Sequence, residues 1–236
     1  MSGCIAIIPA RGGSKRIPRK NIRLFHGQPM IAYSIRAALD SGLFDRVVVS
    51  TDDAEIAAVA RECGAEIPFV RPDDLSDDYA TSMSVVQHAI RALQEQGAQM
   101  EFTCCIYATA PFVRPSFLAE GLARLQANPN ASYAFSVTRF PFPVQRGIRI
   151  NRMGRVEALQ PEYRFTRSQD LEEAYHDAAQ FYWGRTEAWA KDDLLFSELS
   201  IPIVLPRYLV QDIDTVEDWK CAELIYTAIA ARDNLP

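Results

Sequence analysis

Residues 4–23 read CIAIIPARGGSKRIPRKNIR. The first seven form a continuous apolar run, the pattern of a strand covered on both faces, as in a parallel sheet. The remaining thirteen carry six Lys or Arg, no acid, and the adjacent glycines Gly12 and Gly13. Open α/β sheets bind ligands beyond the carboxyl ends of their strands, and this loop begins at such an end. Glycines there let backbone N–H groups approach an oxyanion closely. Arg11, Lys15 and Lys20 can neutralise several charges, so a polyphosphate is the natural ligand of the segment from Arg11 through Gly12, Gly13 and Ser14 to Lys15. Pro9 and Pro18 frame it as a rigid loop. The alternative is a solvated basic turn between strand and helix.

Outward from this stretch, strand-like and helix-like runs alternate. Met30–Leu39 has helical spacing with Gly42 as a stop, and RVVVS (46–50) is a second strand. Asp52 and Glu55 are spaced as a capping box for a helix to about Glu62, closed by Gly64. EIPFV (66–70) reads as a strand, 82–96 as a helix, FTCCIYAT (102–109) as a strand, 115–126 as a helix and SYAFSVT (132–138) as a strand. This rhythm predicts an α/β fold with a doubly wound, mostly parallel sheet. It breaks at 139–175, rich in proline and arginine, which is expected to form a small hairpin-bearing inserted lobe within one domain of 1–236. The rhythm resumes with QFYWG, a helix near Thr186–Ala190, the strands IPIVLP and YLVQDID, and a helix over about 215–231.

Composition narrows the classes. The 236 residues are 48% hydrophobic, enough for one full core. No apolar run reaches the roughly 20 residues of a membrane span, and 1–10 lacks a leader pattern, so a soluble, cytoplasmic protein with no membrane partner is expected. Five cysteines without a C-x-x-C pair suit buried free thiols in a reducing compartment. The net charge is −5, yet residues 1–39 hold seven Lys or Arg and no acid, against 18 basic and 30 acidic residues in the rest. A positive site within an acidic chain points to a small anion and away from nucleic acid.

Neither G-x-x-x-x-G-K-[ST] nor, after this strand, G-x-G-x-x-G occurs. A loop both basic and glycine-bearing suggests a triphosphate whose pyrophosphate departs. Near the other end, Asp212 and Asp214 stand two apart in YLVQDID. On a strand both carboxylates face one side, and Mg²⁺ needs only one or two carboxylates beside phosphates and waters. The competing reading makes Asp214 the N-cap of the following helix.

IAIIPARGGSKRIPRKNI, VVVSTDDAEIA, FVRPDDLSDD and QDIDTVEDW, in that order, resemble the cytidylyltransferases that activate nonulosonic acids, the CMP-sialic acid synthetases and their relatives. The resemblance spans most of the chain. It implies a Rossmann-like nucleotidyltransferase fold, CTP and a nonulosonic acid as substrates, Mg²⁺, and a homodimer built through the 139–175 lobe. It places Asp212 and Asp214 at the metal, with Arg11, Lys15 and Lys20 beside them in catalysis. It also places Asn21, Arg71 and Ser82 on the nucleotide; a turn residue, a surface arginine and a plain N-cap are the competing readings.

On the sugar side, Tyr107 stands in YATAP where the sialic acid pattern has a glutamine in Q-P-T-S-P. Arg16 replaces a usual glycine, and Asp177-Ala178-Ala179-Gln180 replaces N-G-A. These departures, with FPFPVQR at 140–146, resemble the pseudaminic acid branch. Tyr107, Gln145, Arg146, His176 and Gln180 are the candidates for holding the sugar; Phe181, Tyr182 and Trp183 read as sheet core. A legionaminate or N-acylneuraminate enzyme, or a non-catalytic nucleotide-binding protein, are the alternatives. A nicotinamide oxidoreductase would share the sheet but needs the missing glycine fingerprint.

Overall fold

The buried run Cys4–Pro9 (β1) lies near the centre of a six-stranded sheet in a computed structural model that describes residues 3–77 and 79–233. After the basic loop, Leu24–Phe25 (β2) and Gln28–Pro29 (β3) make a two-rung hairpin. It turns at His26 and Gly27, which have φ of 45° and 80°. Helix α1 (Met30–Ser41) ends at Gly42, whose φ of 63° is the left-handed conformation glycine takes without strain. Then come β4 (Arg46–Ser50), α2 (Ala54–Glu62), α3 (Ser82–Glu95), β5 (Phe102–Ile106), α4 (Pro115–Gln126) and β6 (Tyr133–Arg139).

Outside the main sheet, β7 (Ile148–Ile150) and β8 (Val156–Ala158) pair as a hairpin. The chain returns through β9 (Tyr175–Arg185), α5 (Thr186–Lys191), β10 (Ser200–Val204) and α6 (Val216–Asp233). The strand order is β10-β6-β9-β5-β1-β4. β9 runs antiparallel to both neighbours, and the other pairings are parallel. α1 packs against α2 and α4, and α3 packs against α5. The apolar strand residues divide between two clusters, as alternation along a strand requires. One holds Ala6, Ile8 and Trp183, the other Ile5, Ile7 and Tyr182. A third cluster seats Trp219 and Ala222 of α6 on Phe25, Ile17 and Leu209. It locks the last helix to the basic loop.

Three local expectations are corrected. EIPFV is not a strand: Glu66 alone bridges to Val48, and Pro68 lacks the N–H that a ladder needs. YLVQDID is not a strand either. A single 3₁₀ turn at Arg207–Leu209 follows Pro206, and side chains take up the segment's carbonyls. Gln180 Nε2 donates to Leu209 O at 2.5 Å and Lys20 Nζ to Ile213 O at 2.6 Å. Finally, the α2 cap is Asp53, whose Oδ1 accepts the N–H groups of Glu55 and Ile56 at 3.0 and 2.9 Å; Asp52 is turned elsewhere.

Candidate active site

Because β4 and β5 leave β1 on opposite sides, a crevice opens at the carboxyl ends of β1 and β5. A cleft of about 370 Å³ occupies it, bounded by Arg11 and the basic loop on one side and by Tyr107, Ala108 and Thr109 on the other. Of the residues singled out in the sequence, Arg11, Ser14, Lys15, Lys20, Asn21, Arg71, Ser82, Tyr107 and Asp214 all line it. So does Arg16, which the sequence marks only as a departure from a pattern.

The loop is held from several directions. Asn21 is buried, and its Nδ2 donates to Arg11 O at 3.0 Å while its own carbonyl accepts Ile31 N. Arg19, with φ of 56°, grips Asp53 at 2.5 and 3.0 Å and also pairs with Glu55. That guanidinium, and then the helix N–H groups, pull the Asp53 carboxyl down to about 2. Gly12 differs from the expectation. Its N–H donates to Asp52 Oδ1 at 3.0 Å, so this amide is committed to a carboxylate and not to a ligand. A Cβ at Gly12 would lie 2.7 Å from Asp53 Oδ2, whereas one at Gly13 would meet open space.

Across the loop, Arg71 is buried with its Nε on Ser50 Oγ at 3.1 Å and Nη2 on Ser50 O. Burial pushes its pKa down to about 10, partly offset by Asp52, so the guanidinium stays charged near neutral pH. Asp214 receives Arg16 Nη2 at 2.9 Å and Lys20 Nζ at 3.3 Å. It does not cap α6. Thr215 and Asp218 form the capping pair: Asp218 Oδ2 accepts Thr215 N at 2.8 Å, and Thr215 Oγ1 accepts Asp218 N at 3.2 Å. The Asp214 carboxylate is thereby left facing the cleft. Asp212 keeps solvent exposure and does not line the cleft, but protein around its carboxyl, and then the neighbouring Asp214 charge, raise its pKa.

Tyr107 separates this cleft from a second cavity of about 140 Å³, lined also by Ser82, Met83, Asp177, Tyr182, Leu195 and Phe196. Its hydroxyl is hydrogen-bonded to Ser82 Oγ at 3.1 Å, and its ring lies 5.2 Å from that of Tyr182. Tyr182 donates to Asp177 Oδ2 at 2.6 Å. Burial raises both phenols, which therefore stay protonated. Sequence reasoning misses Asp177 and Tyr182 as site residues. Five apart on a regular strand, they would face opposite sides. An irregularity opposite Phe135–Val137, with Ala179 at φ 51°, brings both to one cavity.

The other sugar candidates lie elsewhere. Gln180 is buried and occupied with Leu209 O. His176 sits against Phe140, with Nδ1 2.8 Å from Asp177 O. Gln145 Nε2 donates to Glu172 O at 2.9 Å and Arg146 to Ser168 Oγ at 3.0 Å, both within the 140–174 excursion. None of the four lines either cavity.

A nucleotide-sized cleft with this lining agrees with what known proteins show. The profile of the family described as "Cytidylyltransferase" matches residues 5–207. The chain belongs to the cytidylyltransferase family. It is therefore a nucleotidyltransferase. Among its relatives is a pseudaminic acid cytidylyltransferase of Campylobacter jejuni, 48% identical over 94% of this chain and 95% of that one. An N-acylneuraminate cytidylyltransferase of Danio rerio is 34% identical over 92% of this chain and 49% of its own length. A solved CMP:2-keto-3-deoxy-manno-octonic acid synthetase complexed with CTP superposes with a TM-score of 0.69, covering 96% of this chain and 99% of that one. At 16% identity that likeness speaks for the Rossmann-like nucleotidyltransferase fold alone. No helix among the described residues is long and apolar enough to cross a membrane.

Proposed function

We propose that this cytidylyltransferase transfers CMP from CTP to the anomeric hydroxyl of a nonulosonic acid, and that the acid is pseudaminic acid. The observation that carries the transfer chemistry is the convergence of Arg11, Lys15, Arg16, Lys20 and Arg71 on one cleft with Asp214 at its edge. The near full-length likeness to a pseudaminic acid enzyme supports the choice of acid. The sugar hydroxyl oxygen bonds to the α-phosphorus, the bond to the β-phosphate oxygen breaks, pyrophosphate leaves and the hydroxyl proton is released. Arg11, Lys15 and Lys20 stabilise charge growing on the departing pyrophosphate. The backbone of Gly12, Gly13 and Ser14 shapes the loop beneath it, while Asn21, Arg71 and Ser82 hold the nucleotide. Tyr107 stands between nucleotide and sugar.

Asp212 and Asp214 are suited to Mg²⁺. Burial of the Asp212 carboxyl, and then the charge of Asp214 two residues on, raise its pKa, and no group of three or more His, Cys, Asp or Glu among the described residues offers a fuller ligand set. A pair completed by phosphates and waters is the arrangement Mg²⁺ favours. The ion would neutralise phosphate charge there. A homodimer through 139–175 is supported by the exposed Ile148, Ile150, Met153, Val156 and Phe165 of that excursion. Dependence on CTP suits a cytoplasmic setting.

Pyrophosphate release with CTP and Mg²⁺, in the presence of pseudaminic, legionaminic or N-acetylneuraminic acid, tests the reading. Release is expected only with all three components, and fastest with pseudaminic acid. No release with any acid would overturn it.

A further inference from the structure

Asp52 lies just beyond the carboxyl end of β4 and is not among the residues lining the cleft. Since Asp53 caps α2, the Asp52 carboxylate is free to bond elsewhere. Its Oδ1 accepts the Gly12 N–H at 3.0 Å, across 40 residues of sequence. The backbone at Gly12 is pressed against Asp53, as the 2.7 Å approach of a Cβ to Oδ2 demonstrates. Further along the loop, Arg19 is tied to the same Asp53. Upstream, Ala10 N donates to Ser50 O at 2.9 Å. The Arg11–Gly12 peptide, between the strand-bound Ala10 and the cleft-facing Ser14 and Lys15, is thus held from both sides: Asn21 Nδ2 donates to its carbonyl at 3.0 Å and Asp52 accepts its N–H. Its charge also bears on buried Arg71, favouring the charged guanidinium.

We propose that Asp52 is a positioning residue of the nucleotide site: by accepting the Gly12 N–H it holds the loop so that Arg11, Ser14 and Lys15 face the triphosphate. This rests on the nucleotide reading of the cleft. The sign of its effect is diagnostic. A carboxylate beside the loop repels a triphosphate, so if Asp52 did nothing but carry charge, its removal would tighten CTP binding. A positioning role gives the opposite result, because the loop's cations then lose their aim.

The test is calorimetric binding of CTP and of cytidine to the intact protein and to Asp52→Ala and Asp52→Asn. Alanine should weaken CTP ~10-fold or more, as expected for a lost hydrogen bond to a charged group. Cytidine, which has no phosphates, should change by less than ~2-fold on the same argument. Asparagine keeps an oxygen acceptor for Gly12 and should restore CTP to within ~3-fold of the intact protein. Hydrogen exchange of the Gly12 amide should be fast in the alanine variant and slow in the asparagine one. If alanine does not fold, Asp52→Ser, too short to reach Gly12, replaces it. Unchanged or tighter CTP binding in the alanine variant, which lacks any acceptor for the Gly12 N–H, overturns the assignment, as does equal loss for cytidine or failure of asparagine to rescue. Intact protein that binds no CTP instead overturns the nucleotide reading beneath it.

Discussion

The guanidinium of Arg16 rests on the Asp214 carboxylate, Nη2 to Oδ1, at 2.9 Å. One partner belongs to the basic loop and the other to the segment before α6, so the contact closes the cleft edge with a cation on a proposed metal ligand. Both side chains are partly exposed, at 65% and 39%, and an exposed pair contributes only about 0–1 kcal/mol. Arg16→Ala should therefore leave the melting temperature nearly unchanged. It should tighten binding of Mn²⁺, a magnetic stand-in for Mg²⁺, to the nucleotide-free protein, since a competing charge is gone. Asp214→Asn should fold normally because Thr215 and Asp218 cap α6, yet lose ~10²-fold in turnover. Mn²⁺ affinity unmoved in both variants would count against the metal assignment.

Asp53 links the loop to stability and gives it a pH signature. Arg19 and the α2 amides lower its carboxyl from the usual 3.8 to about 2. A group whose pKa is lower in the folded state stabilises the fold fully above its unfolded value, and loses that contribution as pH falls through the folded one. The stability difference between the intact protein and Asp53→Ala should be flat above about pH 5 and shrink as pH falls from about 4 toward 2. Urea melts across that range measure it. A difference that instead grew on acidification would show that the Arg19 contact is not what holds the proton off.

The excursion between β6 and β9 predicts its own partner. Ile148, Ile150 and Val156 are 61–75% exposed on the hairpin, an apolar surface of a kind that marks interfaces. Sedimentation should report twice the 26.5 kDa chain mass, and Ile150→Asp with Val156→Asp should return it to one chain. A single-chain mass for the unaltered protein at all concentrations would refute the dimer.

Much of this arrangement is legible in the sequence because the central strands are continuous apolar runs and the helices carry plain stops. Pro115, Gly42 and the basic run at 11–23 each act locally, and each lies where a local argument puts it. The misreadings share a cause. YLVQDID looks like a strand because its alternation is right, but β10 already ends the sheet and Lys20 and Gln180, from far upstream, satisfy its backbone. Asp52 and Asp53 are adjacent and chemically alike; only the tertiary placement of Gly12 and Arg19 separates their roles. Asp177 and Tyr182 are hidden by strand parity, which the irregularity at Ala179 overturns.

On the reading proposed above, the choice of acid turns on Tyr107, which lines both cavities. Pseudaminic and N-acetylneuraminic acids share the carboxylate and the anomeric hydroxyl, so the basic loop serves both and discrimination falls to groups facing the ring substituents and tail. Tyr107 is braced by Ser82 on one side and packed near Tyr182 on the other. The small cavity beside it mixes one carboxylate, Asp177, with Met83, Leu195 and Phe196, a lining matched to an acylamino group or a methyl-bearing deoxy tail better than to a polyol. A buried hydrogen-bonding group left unpaired by the wrong substituent can cost ~10⁴-fold in specificity. Tyr182→Phe keeps the ring but withdraws the donor from Asp177, and should lower kcat/KM for pseudaminic acid ~10-fold, the loss of one hydrogen bond to a charged group, with the KM for CTP nearly unchanged. Tyr107→Gln should narrow the preference over N-acetylneuraminic acid by disturbing both cavities at once. Comparing kcat/KM for the two acids at saturating CTP measures this. If the unaltered enzyme turns over N-acetylneuraminic acid as well as pseudaminic acid, Tyr107 and its cavity do not select the substrate.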